Sequence, residues 1–199
     1  MLVSCAGDDA PGNTVFTGNT ELFDFYEEFT PPRRGTKTEE YRSSTQNSKV
    51  FEDSVDIDAD GLYDFRVRYF LTKRISGDTT VNTLMGPLHE NMFFLGDTVI
   101  FDNMQYWDQR VYQAGKEVNT DTDFWETMAP SGYLYSFDYW LKFQANGFID
   151  ELTKFPAVPE GYIAFKLYSG EKTILGWFKI RLAHPGRVPE IESMGYRQF

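Results

Sequence analysis

Apolar and polar side chains alternate along several short segments of this chain, and the alternation indicates β-strands. Residues 65–71 read Phe-Arg-Val-Arg-Tyr-Phe-Leu, and residues 161–168 and 174–182 show a similar period near two, with many β-branched and aromatic residues. Ser169-Gly170-Glu171-Lys172 separates the latter two segments and is typical of a hairpin turn. Residues 191–196 predict a closing strand.

Weaker apolar runs predict further strands at 50–55, 79–84, 91–95, 98–101 and 133–143. Gly86-Pro87 and Gly96-Asp97 are expected to break the chain between neighbouring strands, because Gly and Pro interrupt regular structure. These segments extend the β pattern over most of the chain.

Helical signals are few. One helical turn is predicted within residues 121–128 and a brief helix within 148–155. The aromatic residues of 21–29 fit both helical and strand spacing, so both alternatives stay open there, and Pro31-Pro32 is expected to end either element. The polar residues 33–48 indicate a mobile or edge loop.

Many short strands separated by turn residues predict an all-β fold, namely an antiparallel β-sandwich of jelly-roll type with few short helices. Aromatic residues make up 17% of the 199 residues, which is ample for a core and favours strands. Residues 1–20 are predicted to form a flexible tether, because Gly, Asp, Asn and Thr dominate it, and residues 21–199 a single domain.

Carboxylates recur at every second position from Asp56 to Asp60, followed by Gly61, as in an EF-hand-type calcium loop. Calcium takes six to eight oxygen ligands and relieves the repulsion between close carboxylates. The predicted ligands are Asp56, Asp58, Asp60, the Leu62 backbone carbonyl and Asp64. Val67 stands where an EF-hand has its bidentate Glu, and the strand that follows indicates a β-linked loop. A stabilising role is favoured over a catalytic one; the alternative is an acidic turn without an ion.

The net charge is −11, and it is concentrated near the N-terminus: residues 1–65 carry 14 acidic and 5 basic side chains, and residues 66–199 carry 16 and 14. This distribution argues against nucleic-acid binding, which needs a basic surface. The single cysteine, Cys5, excludes an internal disulfide.

Leu2-Val3-Ser4-Cys5 is similar to a bacterial lipobox, and Ala6-Gly7-Asp8-Asp9 to the export signal of surface lipoproteins in Bacteroidetes-type bacteria. This similarity implies lipidation of Cys5 and a lipid-anchored position at the outer membrane, exposed on the cell surface. The alternative is a chance Cys in a disordered N-terminus. Segments 56–65, 161–165 and 176–180 resemble a group of secreted bacterial β-sandwich proteins without a settled activity; Ala164 replaces the usual Gly and Leu175 the usual aromatic.

No strong catalytic motif is present. His89 and His184 are interpreted as loop residues, since no nucleophile elbow or zinc-binding spacing accompanies them. Trp107 and Trp125, beside Asp108 and Glu126, are the candidates for stacking on sugars, whereas Trp177 is assigned to the core. The preferred function is a non-enzymatic binding or structural module, with glycan as a possible ligand. The alternative is a glycan-active hydrolase with an unrecognised pair of carboxylates.

Overall fold

The computed structural model describes residues 13–77, 79–101, 104–109, 111–121, 125–126, 136–137, 140–143, 149–152, 160–181 and 190–199. Over these residues the protein is all-β and antiparallel, which confirms the predicted fold class. The strands are β1 (Thr14–Phe16), β2 (Phe25–Arg33), β3 (Thr36–Arg42), β4 (Gln46–Val55), β5 (Phe65–Arg74), β6 (Thr79–Pro87), β7 (Met92–Phe101), β8 (Met104–Gln109), β9 (Glu117–Asn119), β10 (Trp125–Glu126), β11 (Ser136–Phe137), β12 (Trp140–Phe143), β13 (Ile149–Leu152), β14 (Glu160–Ser169), β15 (Lys172–Arg181) and β16 (Glu190–Gln198).

Two seven-stranded sheets pack together. Sheet I has the order β10-β7-β14-β15-β16-β2, with β8 paired to β7, and sheet II has the order β13-β12-β6-β5-β4-β3, with β11 paired to β6. Strands β1 and β9 form a separate two-stranded sheet. The arrangement is a β-sandwich. More than half of the described strand pairs in the two sheets join strands that are consecutive in the chain.

The core between the two sheets follows directly from the alternation of apolar residues. Phe65, Val67 and Tyr69 of β5 are almost completely buried, while the residues between them are only half-buried. The rings of Phe65 and Phe178, from sheets II and I, lie 4.5 Å apart between centroids. Aromatic rings from both sheets therefore meet in one core.

A second, smaller core covers the opposite face of sheet I. Its buried members are Val15, Leu95, Val118, Ala164 and Leu175, which come from β1, β7, β9, β14 and β15. Trp177 lies on this face, because its neighbour Phe178 points into the first core, and its indole Nε1 donates to the Phe16 carbonyl at 3.2 Å. Trp177 is 2% exposed, so its assignment to the core is confirmed.

The predicted helices are not found in the described residues of those segments. Residues 121–128 contain β10, and residues 148–155 contain β13, which pairs with β12. Residues 25–33 form β2, because pairing with β16 satisfies their backbone groups and Phe25 and Phe29 pack against the first core. The secondary structure of these segments depends on their pairing with other strands. The local spacing of apolar residues does not reveal that pairing.

Prolines and glycines interrupt the strands less than expected. Pro31-Pro32 lies within the edge strand β2, where the ladder to β16 shifts register between Ile191 and Ser193, so the missing N–H groups break little pairing. Gly86-Pro87 ends β6, and β7 continues through Gly96-Asp97.

Two segments predicted to be irregular contain strands. The expected loop 33–48 includes β3 and the start of β4, with β3 forming an edge of sheet II. The expected tether 1–20 includes β1, which is ordered by pairing with β9, and Val15 is 3% exposed. The tether prediction is therefore wrong for β1; Cys5 lies outside the described residues.

Candidate metal centre

The acidic loop, residues 56–64, closes the hairpin between β4 and β5. Val55 and Phe65 are register partners at its base, and the Asp64 N–H donates to the Val55 carbonyl at 2.9 Å. Ala59 has φ 60° and Gly61 has φ 90°, so the chain turns twice through the left-handed region. The loop therefore has a fixed base on sheet II and a tightly turned tip.

Three carboxylates converge within this loop. One oxygen each from Asp56, Asp58 and Asp64 lies within 4.8 Å of the others. Asp56 Oδ2 also accepts a hydrogen bond from the Gly61 N–H at 3.0 Å, and Asp58 Oδ1 accepts one from the Asp60 N–H at 3.2 Å. Backbone amides of the tip thus hold two of the three carboxylates in place.

The second oxygen of Asp56 has no protein partner among the described residues. Asp56 Oδ1 is inaccessible to solvent and accepts no hydrogen bond there. A buried carboxylate oxygen without a donor destabilises the fold, because it has lost its hydrogen bonds to water and has gained no hydrogen bond from the protein. A cation bound between the three carboxylates would satisfy it.

Asp64 is the buried member of the acidic triad, at 3% exposure. Its Oδ2 accepts the Ile57 N–H at 2.5 Å, and its Oδ1 lies 2.9 Å from His89 Nε2. Burial raises the pKa of Asp64, although both hydrogen bonds oppose the rise. An ionised carboxylate only accepts, so in the ionised form of Asp64 the donor of this contact would be the Nε2–H tautomer of His89.

His89 is a site residue that sequence reasoning missed, since it was interpreted only as a loop histidine. It follows β6, and β6 pairs with β5 so that Pro87 lies opposite Phe65. This register brings His89 beside Asp64 across 25 positions of sequence. Only knowledge of the β5–β6 pairing could have indicated the contact.

The remaining predicted ligands are not part of the triad. Asp60 is exposed, and its Oδ1 accepts the Leu62 N–H at 2.7 Å. The side chains of Leu62 and Tyr63 are 67% and 61% exposed at the tip. The described donor set is therefore three carboxylates, and backbone carbonyls and water would have to complete the shell of a hard cation such as calcium.

An open groove of about 440 Å³ adjoins this loop. It is lined by Arg33, Thr38, Glu52, Asp53, Ser54, Asp56 and Tyr63. Arg33 of sheet I donates to both Asp53 oxygens of sheet II at 2.7 Å and to the Ser54 carbonyl at 2.9 Å. The hydrogen bonds that Arg33 donates to the Asp53 carboxylate raise the pKa of Arg33 and join the two sheets beside the groove.

The two tryptophans predicted to bind sugars lie elsewhere, on sheet I. Trp125 is half-buried, packs against the second core and donates from Nε1 to the Asn119 carbonyl at 2.9 Å. Lys166 Nζ lies 5.0 Å from its ring centroid and donates to the Thr120 carbonyl at 3.1 Å. Trp107 belongs to β8, opposite Thr98 of β7, and its side chain lies outside the described residues.

His184 also lies outside the described residues. Within the described part of the chain, no helix has the length and hydropathy needed to cross a bilayer. Comparisons with protein-family models, with curated proteins and with solved structures find no match to this chain.

Proposed function

We propose that this protein is a surface lipoprotein whose β-sandwich is stabilised by calcium and acts as a non-enzymatic binding module for glycans. The observation that carries the metal part is the convergence of Asp56, Asp58 and Asp64, in which a buried oxygen of Asp56 has no donor in the described structure. Three ionised carboxylates with oxygens within 4.8 Å of one another repel unless a cation lies between them.

Calcium is the cation that suits this donor set best. All three side-chain donors are oxygens, which hard cations prefer, and calcium tolerates an irregular shell completed by carbonyls and water. The site joins two strands and one of its ligands is buried, so the metal would fasten the hairpin end rather than activate a substrate.

Binding is favoured over hydrolysis by the environment of the second groove. This groove, of about 310 Å³, contains two carboxylates, Glu28 and Glu192. Glu192 forms ion pairs with Lys179 and Arg181 at 3.0 and 2.9 Å. Both of its carboxylate oxygens are thus engaged in ion pairs, whereas the general acid of a glycosidase must be free to approach the glycosidic oxygen.

The lipid anchor is proposed from Cys5. Eight residues lie between Cys5 and Thr14, the first residue of β1. An extended chain of this length spans roughly 30 Å at most. The anchor would thus keep the sandwich close to the outer membrane.

Calorimetric titration with calcium chloride, combined with melting curves with and without EDTA, tests the metal part. We expect binding with a Kd on the order of 10⁻⁴–10⁻³ M, the range of extracellular modules. A tenfold excess of calcium over Kd would stabilise the fold by roughly 1–2 kcal/mol. No heat of binding at millimolar calcium, with a melting curve indifferent to EDTA, would contradict it.

A further inference from the structure

The groove beside the acidic loop shares one residue with the acidic triad. Asp56 belongs to both, and Tyr63, near the end of the same loop, forms part of the groove wall. The other walls come from β2, β3 and β4, so both sheets of the sandwich contribute. The groove is thus built largely on strands, and Tyr63 of the loop supplies its aromatic wall.

Tyr63 has an exposed ring at this position. Its side chain is 61% exposed, and it belongs to neither of the two hydrophobic clusters of the described residues. A large aromatic residue in a loop tip contributes little to the core when it is this exposed. Its flat face is available to an incoming apolar surface, such as the face of a sugar ring.

The polar lining favours a ligand that donates hydrogen bonds. Glu52, Asp53 and Asp56 outnumber the single cation, Arg33, whose donors already bond Asp53 and the Ser54 carbonyl. Glu52 is itself paired with Arg66 and Arg68, at 3.7 and 3.2 Å. A phosphate or carboxylate would therefore find no unpaired cation among these lining residues, so anionic ligands are disfavoured. Hydroxyl groups can donate to the carboxylates and can exchange hydrogen bonds with the Ser54 hydroxyl.

We propose that this groove binds a neutral oligosaccharide, with one sugar ring stacked on Tyr63 and its hydroxyls bonded to the Ser54 hydroxyl. The inference rests on the proposed function, since that supplies glycan as the ligand class. It places the sugar contact at the metal loop instead of at Trp125. Small-ligand sites usually combine aromatic side chains with a few polar groups, as this groove does.

The experiment begins with an array of neutral, uronic-acid-containing and amino-sugar oligosaccharides, followed by titration of the best neutral oligosaccharide. We expect Tyr63→Ala to weaken its binding about tenfold, the loss expected for one stacking contact. Tyr41→Ala is the matched control, because Tyr41 is 58% exposed on β3 but does not line the groove. The affinity of this variant for the oligosaccharide should equal that of the wild type. Melting curves show that both variants remain folded.

Each other outcome overturns the inference. Equal affinity of Tyr63→Ala and the wild type, or binding of uronic-acid or amino-sugar chains alone, excludes a neutral sugar at this groove. Loss of binding in a Trp125 variant, with Tyr63→Ala unaffected, would keep the glycan function and reject the groove. The melting temperature of the wild type with and without calcium, measured separately, tests the metal part of the proposed function independently.

Discussion

Asp64 and His89 join the acidic loop to the connection between β6 and β7, through a 2.9 Å contact between Asp64 Oδ1 and His89 Nε2. Asp64 is held a second time by the Ile57 N–H, so the base of the loop is fixed by the protein itself. The hydrogen bonds at the exposed tip, from the Gly61 N–H to Asp56 and from the Leu62 N–H to Asp60, stay within the loop. A cation at the triad would therefore add most to the stability of the tip and least to that of the base.

The first prediction compares two aspartates of the loop. Asp58→Asn removes one of the three converging charges, so we expect the rise in melting temperature on adding calcium to fall to less than half. Asp60→Asn is the control: Asp60 lies outside the triad, and asparagine keeps the oxygen that accepts the Leu62 N–H. Differential scanning calorimetry with and without EDTA measures both, and an equal loss in the two variants would contradict the triad.

A second prediction concerns the anchor. If Cys5 is lipidated as proposed, Cys5→Ala in the complete precursor should move the protein from the membrane fraction to the soluble fraction, because stable anchoring would depend on the acyl chains. Cell fractionation followed by immunoblotting measures the change. Ser4→Ala is a control that keeps a small residue before the cysteine, and unchanged fractionation of Cys5→Ala would reject lipidation.

Trp125 carries the third prediction. Its ring packs on the second core, lies 5.0 Å from Lys166 Nζ and donates from Nε1 to Asn119. Trp125→Ala should therefore destabilise the protein by about 2 kcal/mol and lower the melting temperature by roughly 4–8 °C. Trp125→Phe keeps a ring over the ammonium group and should lose about half as much. An unchanged melting temperature in Trp125→Ala would show that the ring is dispensable for folding.

The fourth prediction is a pH dependence at Glu190, whose side chain is 3% exposed between Arg34 and Arg181. Burial opposes its ionisation, but hydrogen bonds from both arginines outweigh burial and lower its pKa below 4.5. The carboxylate thus stabilises the fold above about pH 4.5, and this contribution is lost as the pH falls through the lowered pKa.

Urea unfolding of Glu190→Gln at several pH values measures this effect. At pH 7 the variant should be less stable by about 2 kcal/mol, the value typical of hydrogen bonds to a charged group. The difference from the wild type should shrink below pH 4. Glu171→Gln, an exposed turn residue, should differ little from the wild type at any pH, and a constant deficit for Glu190→Gln would contradict the role of its charge.

Gly176 is the subject of the fifth prediction. A Cβ at this position would lie 2.3 Å from the Gly195 carbonyl oxygen and 2.6 Å from Tyr196 Cβ, so Gly176→Ala must push β15 away from β16. We expect a loss of about 1–3 kcal/mol in urea unfolding. Gly170→Asn in the hairpin turn is the control, because asparagine tolerates its φ of 61° and a Cβ there meets open space. Equal stabilities of the two variants would contradict close packing at Gly176.

Strand β5 could be predicted from sequence, because it buries every second side chain. Strands β14 and β15 are buried on both faces over much of their length, and their β-branched and aromatic residues on either side of the hairpin turn indicated them. Strand β2 could not be predicted in this way. Its Pro31-Pro32 pair is tolerated because the pairing with β16 shifts register beside it, and the local sequence does not show this shift. The triad was predicted in part: spacing indicated the carboxylates, but hydrogen bonds decide which of them converge. His89 depends on strand register, which no local pattern encodes.

Strand β1 has a mechanical consequence for an anchored protein. Its three residues pair with β9, and its last residue, Phe16, also accepts the hydrogen bond from Trp177. A force applied through Cys5 would reach the sandwich at Thr14, and this short ladder would carry the load before either large sheet. Shear from the surrounding medium would then peel β1 from β9 first, leaving the acidic loop unstrained on sheet II.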